Sequence, residues 1–185
     1  MIKDVIAAQE DKMKKSIEAL KREYATLRAG RATPALLDKV MVEYYGTPTP
    51  VNQVAKVSVP EPRMIVIQPW EKTILHDIEK AIMKSDLGLT PNSDGNAIRL
   101  SIPQLTQERR QEIVKTVSKK AEETKVAIRN LRRDGNDAIK KLEKAKEATE
   151  DEVKKGQEDM QKLADKYVKQ VDSTKAAKEK EVMEV

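Results

Sequence analysis

The chain has 185 residues, with 36 Lys or Arg against 31 Asp or Glu, a formal charge of +5, no Phe and no Cys. The 36% charged residues and a mean hydropathy of −0.67 argue against one large globular core. Long helices with a narrow apolar stripe suit such a composition. Without cysteine, disulfides, thiol nucleophiles and thiolate metal sites are excluded, which fits a reducing compartment.

The N-terminus brings charge at once (Met1-Ile2-Lys3-Asp4) and shows neither an apolar leader nor an Arg- and Ser-rich one. No apolar run approaches the ~20 residues that span a bilayer. The expectation is a cytoplasmic monomer with no targeting segment and no membrane partner.

All eight prolines, at 34, 48, 50, 60, 62, 69, 91 and 103, fall between residues 31 and 104. Proline breaks helix interiors by removing a donor and clashing with the preceding turn. The flanks are therefore free to be helical and the middle is not. The predicted division is a bundle of residues 1–30 and 105–185 around an inserted domain of residues 31–104.

Residues 2–29 carry Ile2, Ile6, Met13, Leu20, Tyr24 and Leu27 at helical spacing, weakened by Gln9 and Ser16 and stopped by Gly30. Residues 106–147 keep a near-heptad period through Ile113, Val117, Ala121, Ile128, Leu131 and Ala138, with Thr106 as the N-cap. Gly135 falls on that seam. It reads either as a site of close helix approach or as a tolerated glycine costing about 1 kcal/mol against alanine.

Thr149 and Glu152 form a capping-box pattern at the start of a third helix. The short joint makes helices two and three antiparallel. At ~1.5 Å per residue, the three helices span roughly 42, 63 and 53 Å.

The insert reads as about four strands around one short helix. Val40, Val42 and Tyr44 alternate, Lys56–Val59 and Met64–Ile67 are β-rich, and Ile98, Leu100 and Ile102 alternate again. Ile74, Leu75, Ile78 and Ile82 show a helical period, and Asn92-Ser93-Asp94-Gly95 marks a turn. The fold class is thus α+β. The crossings at Gly30-Arg31 and Pro103-Gln104 fit a hinge, and equally a rigid junction packed by Leu105 and Leu27.

Charge is unevenly spread. Residues 105–148 carry thirteen bases and eight acids, the insert carries eight of each, and residues 149–185 carry eight bases and ten acids. In the middle helix, Lys125, Arg129, Arg132 and Arg133 lie at i, i+4, i+7 and i+8, along one flank of the seam. Three are arginines, whose planar fork suits phosphate, so the flank is a candidate RNA-backbone surface. The alternative is a solvated face paired with acids of the third helix. Arg28 and Arg31 form a smaller cluster.

One Trp and four Tyr are too few for a base-stacking platform, which favours shape and phosphate contacts on folded RNA. The single histidine, His76, reads as structural. No metal spacing, P-loop or dinucleotide fingerprint occurs, so no cofactor and no catalytic residue is expected. An adaptor coiled coil, a general RNA-binding protein and an RNA-processing enzyme stand as alternative functions.

Five stretches carry a resemblance: LRAGRATPALLD at Leu27–Asp38, VEYYGTPTP at Val42–Pro50, SDLGLTPNSDG at Ser85–Gly95, LTQERR at Leu105–Arg110 and RNLRRDGND at Arg129–Asp137. In this order they resemble the bacterial ribosome recycling factor family from end to end. The resemblance implies an elongated antiparallel three-helix bundle hinged to an α/β domain, mostly β, in an L shape like that of transfer RNA. It implies action after termination, when the family binds the ribosome and, with elongation factor G and GTP, promotes subunit splitting and release of mRNA and deacylated tRNA. The bundle is expected on large-subunit rRNA, with Arg129, Arg132, Arg133, Arg28, Gly30 and Arg31 at the contact and the insert pushed by the GTPase. The family usually has alanine where this chain has Gly135.

Overall fold

The structure is a computed structural model that describes residues 1–27 and 30–184. Two compact units emerge, Met1–Arg28 with Gln107–Val185, and Ala29–Thr106. The class is α+β.

The larger unit is three helices: α1 (Ile2–Ala25), α4 (Gln107–Lys144) and α5 (Glu150–Met183). Each is amphipathic and proline-free, and each closes its apolar stripe only against the other two. Pairing runs antiparallel between α4 and α5, as Lys125 meets Asp172 and Arg132 meets Gln161. The buried stripe includes Met13, Leu20, Ile113, Ile128, Met160 and Val171.

The period was legible, but several seam positions differ from the sequence reading. Ile17 rather than Ser16 is buried in α1, and Ile139 rather than Ala138 in α4. An α-helix drifts about 20° per heptad from a strict 3.5 repeat, so the inward face moves along a long helix. Gln9 does not weaken the stripe: it is 6% exposed, and its Nε2 donates to the Leu131 carbonyl at 2.5 Å.

Both bundle glycines mark close approach. A Cβ on Gly135 would lie 2.5 Å from Met160 Cε and 3.1 Å from Gln9 Cγ, and one on Gly156 would lie 2.8 Å from Ile2 Cγ2. The joint between α4 and α5 is also specified locally. Lys146 takes φ +59°, and the N–H groups of Glu147 and Lys146 donate to the carbonyls of Leu142 and Glu143 at 2.9 and 3.0 Å. This is a Schellman stop with lysine at the left-handed position, and it ends α4 at Lys144. Thr149 then caps α5, its Oγ1 accepting the Glu152 N–H at 3.2 Å and donating to Glu152 Oε1 at 3.0 Å. Lys178, 8% exposed, donates to the Leu27 carbonyl at 3.0 Å, placing a cation at the C-terminal end of α1.

Among the described residues, the smaller unit holds six strands rather than about four. A hairpin pairs β1 (Met41–Tyr44) with β2 (Thr47–Pro50). Its turn residues Tyr45 and Gly46 both have positive φ, 49° and 80°, as a two-residue hairpin turn of mirror-image type requires. One helical turn, α2 (Val51–Val54), leads into a four-stranded antiparallel sheet of order β3-β4-β6-β5. Its strands are β3 (Ala55–Glu61), β4 (Met64–Pro69), β5 (Pro91–Ser93) and β6 (Ile98–Ser101). Helix α3 (Leu75–Lys84) buries Ile78 and Ile82 in the same core as Ile65, Ile67, Ile98 and Leu100.

The missed strands β2 and β5 contain proline and lie at sheet edges, where a residue without an N–H is tolerated. Asp94 organises the β5–β6 turn. Its Oδ1 accepts the N–H groups of Asn96 and Ala97, each at 2.9 Å, and its Oδ2 accepts Arg99 at 2.8 Å. These bonds to the charged form bring its carboxyl down to about 2.

Candidate nucleic-acid interface

The basic flank of α4 divides into two kinds of residue. Lys125 is largely covered, with Nζ 2.5 Å from Asp172 of α5 and 3.7 Å from Glu122. The hydrogen bond to Asp172, ahead of the other charges, raises the Lys125 pKa. For this residue the structure supplies the acid-paired arrangement that the sequence left as an alternative.

The three arginines differ, for among the described residues none has an acidic partner. Arg129 is exposed and has no hydrogen bond or ion pair among the described residues. Arg133 is exposed and reaches only Asn130 Oδ1, at 3.4 Å. Arg132 is half-buried and its Nη1 donates to Gln161 Oε1 at 2.7 Å. Because α4 turns through one residue every 100°, i, i+3 and i+4 place the three heads together on one face. Guanidinium groups without acidic partners are chemically suited to donate to phosphate oxygens.

The remaining expected residues fall elsewhere. Arg28 lies outside the described residues. Gly30 has φ +75°, a conformation that favours glycine, and a Cβ there would sit a tight 3.2 Å from Leu105 Cγ. Arg31, Pro103 and Gln104 are exposed. Within the smaller unit this segment is tied down: Ala32 donates its N–H to the Pro62 carbonyl at 2.7 Å and Ile102 to that of Arg63 at 2.8 Å.

Sequence reasoning missed Arg110. It is 9% exposed, and its Nε is buried with no hydrogen-bond partner among the described residues, which carries a desolvation cost. The available signal was its place one turn before Ile113 on the apolar stripe. Gln161 was also missed, since its relation to Arg132 depends on the pairing of α4 with α5. No helix among the described residues is long and apolar enough to cross a membrane.

Similarity to known proteins identifies the family. The family model described as ribosome recycling factor matches residues 20–183. The ribosome-recycling factor of Desulfitobacterium hafniense (strain Y51) is 66% identical over 185 residues, covering all of both chains. The solution structure of a ribosome recycling factor superposes with a TM-score of 0.80 at 43% identity, covering 100% of this chain and 98% of that one. A second structure, T. thermophilus ribosome recycling factor described with E. coli elongation factor G bound to the E. coli post-termination complex, gives 0.64 at 44% identity with full coverage of both chains. The chain belongs to the ribosome recycling factor family.

Proposed function

We propose that this protein binds the post-termination ribosome and, with elongation factor G and GTP, promotes separation of the subunits and release of mRNA and deacylated tRNA. The observation that supports the anchoring role is the cluster of Arg129, Arg132 and Arg133, uncompensated on a helix whose neighbouring Lys125 is paired with Asp172. On the bundle the RNA surface comprises Arg129, Arg132 and Arg133, docking on large-subunit rRNA through phosphate contacts, with Lys125 held beside them by Asp172; the family resemblance adds Arg28, Gly30 and Arg31 to the contact. The action is binding and displacement by a cytoplasmic monomer, without catalysis by its own side chains.

The insert, with equal numbers of acids and bases, is free of a net pull toward RNA and is the part moved by the GTPase. Motion is assigned to the crossings at Gly30-Arg31 and Pro103-Gln104. The bonds of Ala32 and Ile102 to the β3–β4 turn support bending on the bundle side of this tied segment.

Co-sedimentation of the full chain with ribosomes over a KCl series tests the reading. Arg132→Ala is expected to weaken binding about tenfold, the size of one charge-assisted contact. It should lower the slope of log affinity against log salt by about one, with helicity unchanged. Binding and slope equal to those of the native chain would defeat the surface assignment.

A further inference from the structure

Arg132 is the half-buried member of the arginine cluster, and its head is held in place. Nη1 donates to Gln161 Oε1 at 2.7 Å, and the amide of Gln161 donates to Asp165 Oδ1 at 2.9 Å. The chain of bonds has one polarity. An ionised carboxylate accepts only, so Asp165 requires the NH₂ end of Gln161, which leaves the carbonyl end for the guanidinium. On the α4 side, Nε of Arg132 is buried. The inner edge of the fork is thus turned into the helix pair, one Nη1 hydrogen is taken, and Nη2 has no partner among the described residues.

The chemistry of the holder matters. One heptad earlier, α5 meets the cation of α4 with an acid, Asp172 against Lys125. At Arg132 it presents a neutral amide, although Asp165 lies only one turn away. A carboxylate at position 161 would hold the guanidinium as firmly but cancel its charge. An unsupported arginine would keep its charge but lose rotamer freedom on binding. An amide fixed by an acid beyond it gives orientation while leaving the charge for a ligand.

We infer that Gln161, fixed by Asp165, is a positioning residue that presents the Arg132 guanidinium to an rRNA phosphate without neutralising it. The inference rests on the assignment of Arg132 to the RNA surface made above, and the experiment separates the two. Purified large ribosomal subunits are sedimented with the full chain across a KCl series, using Gln161→Glu, Gln161→Ala, Arg132→Ala and the double variant Arg132→Ala/Gln161→Glu. Thermal melts confirm folding.

Gln161→Glu is expected to weaken binding about tenfold and to lower the salt slope by about one, while its melting temperature is maintained or raised by the new ion pair. Gln161→Ala is expected to weaken binding about threefold with the slope kept, because charge remains but preorganisation is lost. The double variant should bind like Arg132→Ala alone. Native binding by Gln161→Glu beside impaired binding by Arg132→Ala would overturn the positioning role, as would losses that simply add in the double variant. Native binding by Arg132→Ala would instead overturn the RNA-surface assignment, and the positioning role with it.

Discussion

The hydroxyl of Tyr24 donates to the carbonyl oxygen of Val117 at 2.7 Å, joining the end of α1 to a carbonyl within α4. The Gln9–Leu131 bond does the same near the other end of α1. The donors are fifteen residues apart and the acceptors fourteen, about 22 and 21 Å at the helical rise. Two polar pins so matched tie α1 to α4 at two levels of the antiparallel pair, and any slide between the helices would have to break both.

Tyr24→Phe tests one pin through pH. Burial first, then Glu179 and Glu23, push the Tyr24 hydroxyl from 10.0 up to about 12. The unfolded chain therefore loses this proton before the folded one does. The Tyr24 contribution is fully present below pH 10 and declines between pH 10 and about 12. Denaturant titrations of the native chain should show this alkaline loss, and those of Tyr24→Phe should show a smaller one. At pH 7 the variant should be about 1 kcal/mol less stable. Equal alkaline slopes for the two proteins would assign the loss to other groups.

The close approach at Gly156 predicts coupling with Ile2. Gly156→Ala adds helix propensity worth about 1 kcal/mol but drives its Cβ to 2.8 Å from Ile2 Cγ2. In an Ile2→Ala background the same change should be more favourable by at least about 0.5 kcal/mol. A double-mutant cycle in urea measures the difference, and strict additivity would show that the first turn of α1 yields without cost. Gly135→Ala should stay within about 1 kcal/mol of neutral, because its nearest neighbour is the flexible end of Met160.

Lys146 predicts a gain. A lysine at φ +59° carries the steric cost of the left-handed region, about 1 kcal/mol, which glycine avoids. Lys146→Gly should raise stability by roughly 0.5–1 kcal/mol, read as a higher melting temperature. A lower one would mean that the entropy lost by glycine exceeds the strain relieved.

The helices were legible because proline avoidance and a period near 3.6 act together over long stretches. The finer assignment at Ser16–Ile17 and Ala138–Ile139 was not, since it depends on how far each helix has drifted against two partners. The strands β2 and β5 escaped notice because a proline that rules out a helix interior does not rule out an edge strand. In the candidate site, the arginine spacing was visible in the chain itself. The pairing of Lys125 with Asp172 and of Arg132 with Gln161 was not, because it follows from the register of α4 on α5.

The strand β2 has one more effect. It places Pro48 opposite Glu43 and Pro50 opposite Met41, and a strand exposes the N–H groups of alternate residues along each edge. Pro48 and Pro50 have none to offer. The outer edge of β2 therefore offers no N–H donor at these two positions to the strand of a second molecule, which disfavours edge-to-edge pairing there.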